Sequence, residues 1–201
     1  MSISPSFCGV VLAAGESSRM GQEKALLNYR GQSLLGGAIE SLRPHTEMVI
    51  VVAGKNADAL STVVYAAGAF LVANPAPERG QFSSLQVGLR EVLSRGRDGA
   101  IVLLVDRPAP ERETVGKLRQ MFLEKSAEGI WAVVPEYAGR HGHPLVVGRE
   151  MMEAFLRAPA TSNAREVKNS LPGRVAYLAV DDPLVAVNIN TPEDFARLTA
   201  T

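Results

Sequence analysis

The run Gly99-Ala100-Ile101-Val102-Leu103-Leu104-Val105, closed by Asp106, constrains this chain more than any other stretch. Seven apolar residues without alternation predict a strand covered on both faces, and such a strand belongs at the centre of a parallel sheet between layers of helix. Residues 7–12 and 48–52 have the same character. Between these runs lie segments with helical spacing: residues 34–42, capped by Ser33 and stopped by Pro44; residues 56–67, with Leu60, Val63, Val64 and Ala67 on one face; and a helix beginning at 79–85, with Leu85, Gly88, Leu89 and Val92 on one face. The alternation continues with strands over 69–72, 130–135 and 177–180 and helices over 111–125, 151–157 and 164–170. Residues 141–147 read as a loop entering an extended segment, and 185–187 as an extended lead into Asn188-Ile189-Asn190. Thr191, with Pro192 and Asp194 behind it, starts a last helix. The expected fold is α/β: three layers, α/β/α, Rossmann-like, with a mostly parallel sheet and residues 1–201 as a single domain. Ligands then belong outside the carboxyl ends of the strands, where Gly54, Asn74, Asp106, Asn188 and Asn190 all fall.

Lys plus Arg equals Asp plus Glu at 21 each, so no overall basic field exists to hold nucleic acid. A small charged ligand held locally fits better. Cys8 stands alone, which rules out an internal disulfide and a thiolate zinc site and suits a reducing cytosol. With no signal-like leader and no run of eighteen apolar residues, the expectation is a cytoplasmic protein with no membrane partner.

The loop after the first strand, Val10-Val11-Leu12-Ala13-Ala14-Gly15-Glu16-Ser17-Ser18-Arg19-Met20-Gly21-Gln22-Glu23-Lys24, has the makings of a nucleotide grip. Ala13-Ala14-Gly15 lets phosphate lie against backbone N–H groups, and Arg19 and Lys24 supply two cations. It has neither the Gly-Lys-Ser/Thr ending of a P-loop nor the three-glycine spacing of a dinucleotide fold. With Leu12, Ala13, Ala14, Gly15, Ser17, Arg19, Met20, Gly21 and Lys24 in place, it resembles the L-A-A-G-x-S-x-R-M-G-x-x-K signature of MobA-like nucleotidyltransferases, in the branch that cytidylylates the molybdenum cofactor.

That resemblance implies a nucleotide-diphospho-sugar transferase fold, CTP and a molybdopterin-type acceptor as substrates, Mg²⁺ as cofactor, and a molybdoenzyme as an open further partner. It implies Lys24 on the α-phosphate and Arg19 on the β- and γ-phosphates, with Leu12, Ala13, Ala14, Gly15, Ser17, Gly54, Asn74, Gly80 and Ser84 around the nucleotide. Ser84 heads Ser84-Leu85-Gln86-Val87-Gly88-Leu89, which resembles the stretch that reads base and ribose; helix capping by Ser83 or Ser84 is the plainer reading and does not exclude ligand contact. Asp106 is expected to hold Mg²⁺, against the simpler role of a turn cap before Pro108. Asn188 and Asn190 stand where relatives commonly carry Asp, and the spacing leaves open which of them meets the ion. Gly139-Arg140-His141-Gly142-His143-Pro144 resembles the element that faces the pterin, giving His141 and His143 as acceptor contacts. A zinc pair or a surface turn are the other readings of those residues. The family's G-D-x-G-A-R stretch survives only as Ala164-Arg165. Two rivals follow: transfer to another phosphorylated acceptor such as a sugar or polyol phosphate, and a non-catalytic nucleotide- or molybdopterin-binding chaperone.

Overall fold

A computed structural model describes residues 5–16, 20–159 and 161–200. Ser17 and Arg19, two of the expected nucleotide contacts, lie outside the described residues. In chain order the elements are β1 (Phe7–Ala13), the short hairpin β2 (Asn28–Tyr29) and β3 (Gln32–Ser33), α1 (Leu34–Leu42), β4 (Met48–Ala53), α2 (Ala57–Ala66), β5 (Phe70–Ala73), α3 (Gln81–Ser94), β6 (Gly99–Leu104), α4 (Arg112–Ser126), β7 (Ala132–Tyr137), β8 (Arg140–His141), β9 (Leu145–Gly148), α5 (Arg149–Arg157), α6 (Ala164–Asn169), β10 (Val175–Ala179) and α7 (Pro192–Thr199). Short 3₁₀ turns cover Lys24–Leu26 and Pro183–Ala186.

The main sheet runs β10-β7-β9-β6-β1-β4-β5, with β8 paired to β7 off this path. β1, β4, β5 and β6 are parallel, as their two-sided apolar runs require. β9 is antiparallel to both its neighbours, β6 and β7. Successive side chains of β1 enter opposite cores: Val11 packs with α1, α2 and α4, while Val10 and Leu12 pack with α3 and α5. Those two cores are the faces of the three-layer sandwich. Each buried Leu, Ile, Val or Phe contributes about 1.5–3 kcal/mol by leaving water, which makes the doubly covered strands the main source of stability.

Local signals end the elements where the sequence places them. Ser33 accepts from Gly36 N–H at 3.0 Å to start α1. Thr191 and Asp194 form a reciprocal capping box at α7, with Pro192 in the first turn. Cys8, in the middle of the sheet, is wholly buried, and burial pushes its thiol up to about 12. Among the described residues no helix is long and apolar enough to cross a membrane.

Candidate active site

Strand register gathers the site. Leu12 lies opposite Val52 and Leu104, and Ala53 opposite Ala73, so four parallel strands end level with one another. The ladder extends one step further, through Val105 N–H to the Leu12 carbonyl (3.1 Å) and Asn74 N–H to the Ala53 carbonyl (2.8 Å). Ala14, Gly54, Asn74 and Asp106 therefore emerge on one rim. Because β9 runs the other way, its start also reaches that rim and delivers His143.

Two joined clefts open there. The narrower, of about 130 Å³, is lined by Leu12, Ala14, Gly15, Gly80 and Ser84 with Pro77 and Gln81. The wider, of about 300 Å³, shares Leu12, Gly80 and Gln81 and runs on past His143 to Ser162, Asn163 and Ala164. Asn74 stands behind the first cleft. Its amide donates to the Ser83 and Ser84 hydroxyls at 2.9 and 3.0 Å, and its carbonyl oxygen accepts from Ala76 N–H at 3.0 Å. Held as an acceptor, Ser84 has its own proton available for a ligand. Gly80 precedes α3 with φ 89° and ψ 179°, a conformation open essentially to glycine alone. It brings bare backbone to the mouth of both clefts.

The Ala13 carbonyl and the Glu23 carboxylate accept from the two sides of the Asn56 amide, at 2.9 and 3.0 Å, and Gly54 N–H donates to its oxygen at 3.0 Å. Asn56 thus ties the first loop to the second. It was not singled out in the sequence, because a residue preceding a helix reads as a cap. Lys24 is half-buried and opens the 3₁₀ turn that Ala25 anchors in the core.

Asp106 follows β6 with its Oδ1 buried and without a hydrogen-bond partner among the described residues. Its carbonyl accepts from Ile189 N–H at 2.8 Å, which sets Asn188 and Asn190 beside it. The expected strand leading to them does not form. Asp182 caps a 3₁₀ turn at Leu184 N–H, and Pro183 in its first turn bends the chain, so the two asparagines lie on a loop. Neither asparagine side chain is hydrogen-bonded among the described residues. Asn190 is half-buried, whereas Asn188 is exposed and lines a separate cleft of about 670 Å³ with Tyr29, Arg30 and Arg140. The described residues hold no cluster of three His, Cys, Asp or Glu side chains. One carboxylate with an unmatched oxygen and two unengaged amides suit a hard divalent ion that takes its remaining ligands from phosphate and water.

The two histidines part company. His143 lines the wider cleft with Nδ1 3.4 Å from the Val102 carbonyl, and burial, aided by the nearby Arg107 cation, pushes it down to about 3. His141 is exposed, stacked on Tyr177 at 4.1 Å and 3.2 Å from the Glu136 carboxylate. It is not among the residues that line the wider cleft. The Gly142 backbone between the two histidines lies against Val185, with no room for a Cβ. Lys168 of α6, unremarked in the sequence, is near enough to depress His143 further and is itself lowered by burial.

His143 makes stability pH-dependent. An unfolded histidine takes a proton near 6.5, the folded one only near 3, so the unfolded state binds the extra proton between those values. Stability should fall as pH drops through 6.5, by up to about 1.4 kcal/mol per pH unit from this group. Denaturant melts of wild type and His143→Gln from pH 7.5 to 5 should converge at low pH; parallel curves would contradict the assignment.

The chain matches the MobA-like NTP transferase domain over residues 9–175. It belongs to that family. Among similar proteins, nicotine blue oxidoreductase of Paenarthrobacter nicotinovorans is 29% identical over 96% of this chain and 97% of its own. A molybdenum cofactor guanylyltransferase of Xanthomonas euvesicatoria pv. vesicatoria is 29% identical over 98% and 97%. The molybdenum cofactor cytidylyltransferase of Escherichia coli is 24% identical over 92% of both chains. Among solved structures, Rv0371c of Mycobacterium tuberculosis superposes with TM-score 0.80 at 29% identity, covering 99% of this chain and 100% of that one. Its complex with manganese superposes with TM-score 0.72 at 26% identity, covering 98% and 99%. The MobA-like fold and the nucleotidyltransferase class expected from the first loop are thus shown at family level. Of the three named relatives one is a guanylyltransferase, one a cytidylyltransferase and one an oxidoreductase, so membership in the MobA-like family does not by itself fix the nucleotide.

Proposed function

We propose that this chain is a cytoplasmic, Mg²⁺-dependent nucleotidyltransferase that moves CMP from CTP to the phosphate of a molybdopterin-type acceptor and releases pyrophosphate. One observation carries the reading. Asp106 ends the central strand with a buried oxygen that no described group satisfies, beside two asparagine amides that are equally unengaged.

In the proposed reaction an acceptor phosphate oxygen attacks the α-phosphorus in line, and the bond from that phosphorus to the bridging oxygen of pyrophosphate breaks. The attacking phosphate is already an anion, so no general base is required. His143 agrees with this, since a group held neutral down to about pH 3 offers a hydrogen bond and not a charge. Ser84 and the Ala14-Gly15 backbone hold base and ribose in the narrow cleft, and Lys24 with Arg19 carries the phosphates. Mg²⁺ on Asp106, Asn188 or Asn190 would neutralise charge as pyrophosphate departs. Alignment and charge neutralisation then supply the catalysis.

Lys24→Ala should lower kcat/KM for transfer by about 10²–10³, the range for losing one preorganised electrostatic contact. Circular dichroism should stay unchanged, and kinetics within threefold of wild type would remove Lys24 from the phosphate site.

The deciding experiment is pyrophosphate release with Mg²⁺ and each of CTP, GTP, ATP and UTP, given molybdenum-loaded molybdopterin. Release with CTP alone supports the full reading, and release with GTP alone reassigns the nucleotide. Silence with all four discards this acceptor. A second reading, another phosphorylated acceptor, draws on the altered wall of the wider cleft. There Asn163, where the family pattern has Gly, caps α6 through a reciprocal box with Glu166 and lines the cleft beside Ala164. A screen of sugar and polyol phosphates with CTP tests it.

A further inference from the structure

Arg107 stands next to the Asp106 carboxylate, yet the proposed reaction does not use it. Its Nη1 donates to two backbone carbonyls, Val185 at 3.2 Å and Val187 at 3.4 Å, and its Nε is buried without a partner among the described residues. Burial lowers its pKa, with Asp106 acting in the opposite direction. A half-buried cation whose Nε is left unmatched is a cost to the fold, so a contribution to stability is a poor account of it.

The geometry of its two acceptors gives a better account. Val185 and Val187 lead directly into Asn188, and that stretch lacks the regular ladder that would fix its position. Three further long-range bonds hold it: His143 N–H to the Val185 carbonyl at 3.0 Å, Ile189 N–H to the Asp106 carbonyl at 2.8 Å, and Arg140 Nη2 to the Ala186 carbonyl at 3.4 Å. Arg107 grips the same stretch from the residue beside Asp106. One guanidinium nitrogen, held in a rigid plane and donating to alternate carbonyls, restrains both the direction and the advance of the segment between them.

We propose that Arg107 is a positioning residue that sets the loop carrying Ile189 and Asn190 against the Asp106 carboxylate, so that the carboxylate and the Asn190 amide meet one divalent ion. Its relevance to catalysis rests on the nucleotidyltransferase reading above; its grip on the loop does not. Arg107 itself touches neither ion nor nucleotide. A methionine of similar length supplies no donor, and a lysine supplies charge and donors without the rigid plane that orients them.

The test compares wild type, Arg107→Met and Arg107→Lys by two measurements. The first is amide hydrogen exchange without metal or nucleotide. Exchange at residues 187–190 should rise about tenfold or more in Arg107→Met and less in Arg107→Lys, with β1, β4 and β6 unchanged. The second is equilibrium dialysis of CTP with and without Mn²⁺. Metal-free CTP binding should stay within about twofold while the tightening by Mn²⁺ drops by roughly tenfold. If Arg107→Met does not fold, Arg107→Lys decides alone, by faster exchange at 187–190 and weaker tightening. Wild-type exchange at 187–190, or Mn²⁺ tightening equal to wild type, in the folded variants overturns the proposal. If wild type itself shows no Mn²⁺-dependent CTP binding, the metal role falls with the functional reading, and the exchange data still decide whether Arg107 holds the loop.

Discussion

Asp106→Ala is expected to abolish nucleotidyl transfer without loss of stability. The side chain has a buried Oδ1 with no hydrogen bond among the described residues, so removing it takes away an unmatched polar atom that costs about 1–3 kcal/mol where nothing satisfies it. The melting temperature should hold or rise. Transfer should fall by about 10³-fold or more, because an anionic ligand that fixes a divalent ion against departing phosphate is worth several kcal/mol in the transition state. Pyrophosphate release at saturating nucleotide and metal, read beside a thermal melt, checks both halves. Activity within tenfold of wild type would remove Asp106 from the chemistry, while a large drop in melting temperature would show that its carboxylate is a structural cap.

The second large effect is expected at Gly142→Ala, where stability and activity should fall together. A Cβ at this position would overlap the carbonyl oxygen of Val185 and meet the Val185 side chain at 3.0 Å. That carbonyl cannot readily yield, because His143 N–H and Arg107 both donate to it. The segment ahead of Asn188 must move away and draw Ile189 off Asp106. Overpacking commonly costs about 1–3 kcal/mol, and a clash with tethered backbone belongs at the upper end or beyond. For a chain of this size that is a fall of roughly 6–12 °C in melting temperature, with transfer reduced by more than about tenfold through misplacement of the loop. A variant that melts within one degree of wild type would show that the close approach does not exist.

Different physics made some of these features legible and hid others. The parallel strands could be read because burial on two faces leaves an uninterrupted apolar run, as in residues 99–105, and because each run ends where a polar or glycine residue takes over. Capping was equally readable at Ser33 and Thr191, since hydroxyls there bond the next turn. Strand direction was not. Leu145–Gly148 is apolar whichever way it runs, and its antiparallel place between β6 and β7 follows from the β7–β8 hairpin and not from its own residues. Val185-Ala186-Val187 has strand composition, but Asp182 and Pro183 turn it into a 3₁₀ bend.

The same divide runs through the site. Motif and position single out Ser84, Gly80 and Asp106, and the structure sets Ser84 and Gly80 in the narrow cleft and Asp106 at the end of β6, while Asn74, expected among the ligand contacts, donates to the Ser84 hydroxyl from behind. His141 and His143 share a motif but not a surrounding: His141 stacks on Tyr177 and the His143 ring faces the Val102 carbonyl, partners distant in sequence that the motif does not name. Arg107 and Asn56 escaped notice for a related reason. Their partners are backbone atoms, Val185 and Val187 for one and Ala13 for the other, and side-chain chemistry gives no sign of which carbonyl a distant loop will present.

Cys8 has a use unrelated to catalysis. The chain has one thiol, and it is wholly buried in β1 and raised to about 12. At pH 8 only about one molecule in ten thousand would carry the reactive thiolate even if reagent could reach it. A thiol reagent therefore reacts with the native protein only when the layer of α3 and α5 packed over β1 opens. The rate of labelling is an internal clock for that opening, and any ligand that grips the rim should slow it by the factor by which it stabilises the closed form.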